Sequence, residues 1–433
     1  MRTWFKIDLW KRVIAALILG VGAGLALRQG VGPEASGALA TTWIGWLGEL
    51  FLRMIKMLIV PLVFFTLVSG VVAMGDPKRL GSLGGRAIAL YFGTTAIAVT
   101  IGLVIGSILK PGSSLSRETF IAVDSTAVES KAAAAEAAGG IVDRLLQIVP
   151  TNPFDALATG NILQVIFFSI LLGVGILLAG EVGKPAGKLF DALAEAIMKV
   201  TTIVMEVAPF GVFALMAVVM ADKGLVIFKS LGMLTIALYL ACVLHILITY
   251  GGIIKGLLKL PVMPFYRGVS DAQAVAYSTS SSGATLPVTI TCVNENLGVD
   301  KSVASSVLPL GATINMDGTA IYIGLVALFG AQALELDVTL GQYVLVAVMA
   351  TLVSVGAAGI PSAGLLLAAA ALTQVGVSDE QSILVIGFIY PFDRLLDMMR
   401  TLTNITGDAA VATAVAKWEG VLDEEVFRAE DRF

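Results

Sequence analysis

Ser278-Thr-Ser-Ser-Ser-Gly-Ala-Thr-Leu-Pro287 interrupts an apolar stretch with six hydroxyl side chains in ten residues. The apolar halves beside it are each too short to cross the roughly 30 Å hydrocarbon core of a bilayer, which takes about 20 helical residues. A second interruption, Gly356-Ala-Ala-Gly-Ile-Pro-Ser-Ala-Gly364, divides the apolar runs 343–355 and 365–374. Non-helical backbone at membrane depth is tolerated only where protein or a water-filled cavity surrounds it, so both interruptions read as tips of re-entrant hairpins. Surface loops joining complete helices are the simpler alternative.

The order of parts favours the hairpins. Each interruption is followed by an apolar segment carrying buried-looking polar groups: Asn315 and Asp317 after the first, and Asp393, Asp397, Arg400 and Asp408 after the second. Paired interrupted segments in corresponding positions of two halves point to inverted repeats with a site near the membrane midplane.

The composition agrees with a chain dissolved in lipid. Of 433 residues, 57% are apolar and 14% charged, against about 25% charged in an ordinary soluble domain. Apolar runs at 13–27, 57–74, 87–109, 162–179, 231–248 and 321–334 reach or approach spanning length and do not alternate as barrel strands would. The fold class expected is therefore an all-α polytopic membrane protein. Arg2, Lys6, Lys11 and Arg12 precede the first span, and Lys78, Arg79 and Arg86 lie between the second and third. Basic residues mark cytoplasmic loops, which places the loop 110–150 outside. That loop holds an alanine-rich tract from Lys131 and reads as dispensable. Residues 1–29 alternatively resemble a signal peptide, although the apolar run leads straight into further spans.

Net charge −4 gives no affinity for nucleic acid. Cys242 and Cys292 offer no metal spacing and read as packed thiols. His245, the single histidine, has no Cys or His partners for a transition metal and reads as a core or interface residue.

In the last span, Asp393, Asp397, Arg400, Asn404 and Asp408 recur at steps of four, three, four and four. At 100° per residue they fall within an arc of about 80°, one polar stripe. Each charge at the bilayer centre costs at least about 2.5 kcal/mol, so the stripe implies mutual pairing, bound ions or bound substrate. Three carboxylates exceed what one arginine neutralises and invite cations. Gly311-Ala-Thr-Ile-Asn-Met-Asp-Gly-Thr319 sets an amide, a carboxylate and a hydroxyl around glycine in an apolar segment. Unwinding there would free carbonyls as hard oxygen ligands beside Asp317, a set suited to Na⁺. Thr94 and Thr95 would add hydroxyls, or bond back to their own helix.

Four ordered motifs resemble the dicarboxylate/amino acid:cation symporters, the glutamate transporter family. They are Ser280-Ser-Ser-Gly-Ala-Thr-Leu-Pro-Val-Thr289, Asn315-Met-Asp-Gly-Thr319, Ala358-Gly-Ile-Pro-Ser-Ala-Gly364 and Asp397-Met-Met-Arg-Thr-Leu-Thr-Asn-Ile-Thr-Gly-Asp408. Ile148-Val-Pro-Thr-Asn-Pro-Phe154 extends the likeness, and the stretch 299–317 looks closer to the animal excitatory amino acid transporters than bacterial dicarboxylate carriers usually do.

The resemblance implies eight spans plus two re-entrant hairpins, inverted repeats, and a homotrimer in the plasma (inner) membrane with both termini cytoplasmic. It implies an elevator, in which scaffold residues 1–83 and 158–225 stay fixed while the third span, within 84–157, moves with residues 226–433. Arg400 would hold a substrate carboxylate, braced by Asp393, and Asp397 the ammonium. Asn404, Thr319, Thr401, Ser281, Ser282 and the backbone near Ile360 and Gly364 would complete the pocket. Up to three Na⁺ per protomer are implied. One would use Gly311, Asn315, Asn404 and Asp408; a second Tyr91, Thr94, Thr95, Asn315 and Asp317; a third Thr313, Met316, Ser354, Val355 and Ala357.

Acidic-substrate members commonly carry a second arginine in the serine-rich tip or just after the ammonium-binding aspartate. Those positions are Ser280 and Met398 here, and Arg394 lies one turn before Asp397. The expectation is a sodium-coupled symporter of aspartate or glutamate, with lipid as its surroundings. A proton-coupled dicarboxylate or neutral amino acid carrier and an ion channel are its rivals. A carboxylate at Asp397 has no use in a dicarboxylate carrier, and a channel needs no substrate-sized charge pair. An intramembrane hydrolase lacks a strained nucleophile motif.

Overall fold

The computed structural model describes residues 9–73, 77–115, 149–355 and 363–429. Their chain order is α1 (Leu9–Val31), α2 (Pro33–Ala40), α3 (Trp46–Ala73), α4 (Pro77–Leu109), α5 (Pro153–Thr159), α6 (Ile162–Leu178), α7 (Lys184–Met205) and α8 (Ala208–Lys223). There follow α9 (Ile227–His245), α10 (Val262–Gly268), α11 (Ser270–Thr279), α12 (Ser282–Thr291), α13 (Lys301–Ile314), α14 (Asp317–Ala333), α15 (Leu340–Val355), α16 (Ala363–Gln374), α17 (Asp379–Glu419) and α18 (Glu424–Arg428). The alanine-rich tract and the tip between α15 and α16, including Ala357 and Ile360, lie outside the described residues.

Among the described residues, four segments are long and apolar enough to span a membrane: Lys11–Val31, Gly84–Leu109, Phe228–Leu257 and Lys301–Ala333. A fifth is the bent pair Gly180–Val204 and Ala208–Asp222, turned by 50°. α17 falls outside this set because its buried charges lower its hydropathy. Large apolar side chains such as Leu19, Trp43, Leu178 and Ile203 are exposed on the outer surface, where lipid rather than water is the fitting solvent.

The helices pack in two groups. α3 packs on α6, α7 and α8, and α1 lies along α8. That crossing is close because a Cβ at Gly24 would lie 2.4 Å from the Ala217 carbonyl oxygen and one at Gly20 2.6 Å from that of Phe213, the small-residue spacing that lets helices approach in lipid. Arg12, buried on α1, makes a two-pronged pair with Glu206 between α7 and α8, at 2.7 and 3.0 Å. In the second group α14 sits centrally among α4, α16 and α17, with α9 and α15 also against it, while α11 and α13 pack on α17. Every residue of α14 but Gln332 is buried, as a helix surrounded by protein requires.

The first interruption is a tight helical reversal. α11 ends at Thr279, Ser280 takes the left-handed conformation (φ 54°, ψ 38°), and the Ser281 side chain caps α12 by accepting the Ala284 N–H. α11 and α12 pack on each other, as do α15 and α16, so both expected hairpins have paired arms. The unwound segment is shorter than its glycines suggest. α13 and α14 are separated only by Asn315 (φ −85°, ψ 83°) and Met316 (φ −112°, ψ 49°). Gly311 and Gly318 are helical and serve close approach instead: a Cβ at Gly318 would lie 2.4 Å from the Arg400 carbonyl oxygen.

Candidate functional site

The polar stripe is real and buried. Asp393, Asp397, Arg400, Thr401, Asn404 and Asp408 all lie on α17 and are buried. Their spacing turns them toward α14 and the break before it. Arg400 Nη2 lies 3.1 Å from Asp393 Oδ1 and 3.0 Å from Asp397 Oδ1. The guanidinium stacks over the Tyr322 ring, 4.1 Å from its centroid, and the Tyr322 hydroxyl donates to Asp393 Oδ1 at 2.8 Å. Arg400 Nε, Arg400 Nη1 and Asp393 Oδ2 are buried with no hydrogen-bond partner among the described residues. A buried charged donor left unpaired is expensive, and here two nitrogens of one fork are left so. Gly364 keeps the space beside them open: a Cβ there would lie 2.6 Å from Nη1 and 2.8 Å from the Thr319 methyl.

One turn deeper, Asn404 ties the stripe to the break. Its Oδ1 accepts the Gly318 N–H at 2.8 Å, and its Nδ2 approaches the Met316 sulfur at 3.1 Å and Thr319 Oγ1 at 3.5 Å. Asn315 donates to Asp408 Oδ1 at 2.9 Å and to the Asn404 carbonyl at 3.1 Å. Gly311 faces the same carboxylate, and a Cβ there would sit 2.4 Å from Asp408 Oδ1 and 2.6 Å from the Tyr91 hydroxyl. Here the chain is pared down so that oxygens converge.

Asp317, fully buried at the start of α14, accepts from three elements. Thr95 Oγ1 of α4 is 2.5 Å from its Oδ1; Tyr250 Oη is 2.8 Å and His245 Nε2 3.0 Å from its Oδ2. Thr94 Oγ1 lies 3.5 Å from Asn315 Oδ1. Both threonines also bond back to the Tyr91 carbonyl, at 3.1 and 2.7 Å. Back-bonding thus coexists with hydroxyl contacts to Asn315 and Asp317, and one proton per hydroxyl leaves an oxygen-rich, donor-poor cluster. Tyr91 itself donates its hydroxyl to the Val307 carbonyl at 3.0 Å.

The remaining expected residues are less drawn together. The Thr313 hydroxyl bonds the Leu310 carbonyl and that of Ser354 the Thr351 carbonyl, each within its own helix. Val355 ends α15, and Ala357, assigned to the same third ion, is outside the described residues. Ser282 is buried at the start of α12. Arg394 points away from the stripe's centre: its Nη2 donates to the Ser278 and Thr279 carbonyls at 3.2 and 3.1 Å, clasping the end of α11.

Sequence reasoning missed Tyr322, Tyr250 and His245. Burial of His245 agrees with the core reading, but its ring bonds the carboxylate at the centre of the cluster. An ionisable group in mid-span was the signal; testing it only as a transition-metal ligand hid it. Among the described residues no group of three or more His, Cys, Asp or Glu could hold a metal, whereas hydroxyl, amide, carbonyl and carboxylate oxygens are the donors a hard monovalent cation takes.

Comparison with known proteins finds that residues 9–418 match the sodium:dicarboxylate symporter family. A proton/sodium-glutamate symport protein of Geobacillus stearothermophilus is 35% identical over 422 residues, covering 97% of this chain and 96% of that protein. A proton/glutamate-aspartate symporter of Escherichia coli (strain K12) is 32% identical over 429 residues, 99% and 96% of the two chains. A C4-dicarboxylate transport protein of Geobacter sp. (strain M21) is 34% identical over 419 residues, 97% and 92% of the two chains.

Proposed function

This chain belongs to the sodium:dicarboxylate symporter family, and from that premise we propose that it carries acidic amino acids, aspartate or glutamate, together with Na⁺. It is an integral, multi-pass, cation-coupled transporter and not an enzyme. The observation that carries the finer reading is that two Arg400 guanidinium nitrogens, buried beside two carboxylates, have no partner among the described residues.

The two donors without a partner among the described residues, Nε and Nη1, suit charge-assisted bonds to a carboxylate. Asp393 engages Nη2, and the Tyr322 ring and hydroxyl brace that pair. Asp397, adjacent on the same helix face, suits an ammonium group, and Thr319, Thr401, Asn404, Ser281, Ser282 and the backbone near Ile360 and Gly364 complete the pocket. The core's charge balance supports cations as co-substrates. Asp317, Asp393, Asp397 and Asp408 are buried against one buried arginine in these helices, an excess of three negative charges that low dielectric makes costly. Up to three Na⁺ would offset it, at Asp408 with Asn315, Asn404 and Gly311; at Asp317 with Tyr91, Thr94, Thr95 and Asn315; and near Thr313, Met316, Ser354, Val355 and Ala357.

The two packing groups support a moving-domain reading. Residues 1–83 and 158–225 form a scaffold, and the third span, within 84–157, carries the site with residues 226–433, in a homotrimer whose termini face the cytoplasm. α4 packs on α9, α14, α15 and α17, which is why the third span travels with the second half.

Calorimetric titration of purified protein in Na⁺ buffer tests the substrate class. Aspartate should bind at least tenfold more tightly than succinate, which has both carboxylates and no ammonium for Asp397. Succinate binding as tight as aspartate would favour the dicarboxylate activity that some relatives' names carry.

A further inference from the structure

We propose that His245 is a positioning residue of the cation site, turning Asp317 so that one carboxylate oxygen, Oδ1, faces the coupling ion. The inference rests on the reading above that Asp317 binds Na⁺.

A carboxylate oxygen has two lone pairs. Those of Asp317 Oδ2 are both occupied, by His245 Nε2 at 3.0 Å and the Tyr250 hydroxyl at 2.8 Å. The Tyr250 hydroxyl also lies 3.3 Å from the Thr403 carbonyl, but the carboxylate is nearer and charged. Among the described residues Oδ1 is served by the Thr95 hydroxyl alone, whose single proton is shared with the Tyr91 carbonyl 2.7 Å away. Oδ1 therefore keeps electron density to offer, on the side where Thr94, Thr95 and Asn315 oxygens gather.

The imidazole's direction is fixed independently of its charge. Asp317 only accepts, so Nε2 must carry the hydrogen, and Nδ1 lies 3.1 Å from the Thr249 hydroxyl, which holds the ring plane. Local backbone makes the grouping possible. α9 continues past His245 as a π-helical stretch, Ile246–Tyr250. With i→i+5 bonding the fifth residue returns to the same face, whereas an α-helix would carry Tyr250 well round the axis. His245, Thr249 and Tyr250 thereby form one wall, all three buried, and the His245 and Tyr250 rings meet edge-on at 4.7 Å. A hydrogen-bonded orienter of this kind commonly sets how well a ligand binds its ion.

The test is the Na⁺ dependence of binding by His245→Leu, His245→Gln and Thr249→Val in purified protein. Two signals are read: the Na⁺ concentration that half-saturates aspartate binding, and the rise in melting temperature caused by Na⁺ without substrate. His245→Leu should raise the half-saturating Na⁺ at least tenfold and shrink the Na⁺-induced thermal shift, with aspartate affinity at saturating Na⁺ within threefold of wild type. His245→Gln, whose amide N–H reaches toward Oδ2, should restore both to within about threefold. Thr249→Val should shift the midpoint in the same direction by at least threefold, and it decides the matter if the leucine variant does not fold. An unchanged Na⁺ midpoint in the leucine variant, or in Thr249→Val where leucine does not fold, would overturn the proposal. So would an equal loss of aspartate affinity in leucine and glutamine variants at saturating Na⁺, which marks a structural role. Wild-type binding indifferent to Na⁺ would instead overturn the sodium coupling beneath it.

Discussion

At the scale of single residues, the account turns on Arg400. Its Nη2 is engaged by Asp393 and Asp397, Nε and Nη1 have no partner among the described residues, and Gly364 leaves room against Nη1. Truncating one member of a buried charged pair costs about 2 to 5 kcal/mol. Arg400→Cys should therefore cut aspartate affinity by tens- to thousands-fold while Asp397 keeps its ammonium site. Serine or alanine should gain relative to aspartate, because no buried guanidinium remains to be stranded by a neutral side chain. Competition uptake with surface-matched protein measures the ratio; a variant that keeps the wild-type preference for aspartate would show that Arg400 does not read the side chain. These residues were legible because charges at steps of four and three in an apolar span have few structural explanations. Tyr322 was not, since an aromatic three residues after Thr319 looks like core until its hydroxyl is seen on Asp393. Nor was the direction of Arg394, one turn from Asp397 in sequence yet bonded to carbonyls of α11.

At the scale of elements, the two-residue break at Asn315 and Met316 and the reversal at Ser280 and Ser281 do the positioning. The hydroxyl-rich and glycine-rich runs disclosed that helices stop near these places. They did not disclose where, because glycine serves both unwinding and close approach, and only packing distinguishes the two. Gly318 shows the second use, with the Arg400 backbone against its Cα. Gly318→Ala should force α14 and α17 apart or shift the Gly318 N–H off Asn404, an overpacking cost of about 1 to 3 kcal/mol. A lowered melting temperature together with weakened aspartate binding is the expected pair of results. Unchanged values of both would mean that the approach of the two helices is not needed. Ser280 carries a related tension, a non-glycine residue in the left-handed region with its hydroxyl buried and without a partner among the described residues; the same residue viewed as sequence is simply one serine among several.

At the scale of the whole molecule, an apolar exterior encloses a core of excess carboxylates, and on the proposed function the cations that neutralise them would link cation binding to substrate binding. Asp408→Asn removes one anion while leaving the Asn315 contact geometry nearly intact, so both Na⁺ sensitivity and apparent aspartate affinity should fall together, as reciprocal linkage demands. A variant with reduced aspartate affinity and an unaltered Na⁺ response would detach Asp408 from the ion. All-α membrane character was plain from composition. The number of spans was not recoverable from apolarity, because α17 carries charges within its apolar length and the stretch 301–333 is two helices rather than one. The two packing groups follow from which helices meet, which no local pattern encodes. The central claim is that a Na⁺ gradient drives aspartate uphill through this core. The direct measurement is radiolabelled aspartate uptake in proteoliposomes with separately imposed Na⁺, H⁺ and K⁺ gradients, the membrane potential clamped in each. The account predicts concentrative uptake with inward Na⁺ alone, abolished when Na⁺ is equal on both sides; accumulation driven by an H⁺ gradient in the absence of Na⁺ would contradict it.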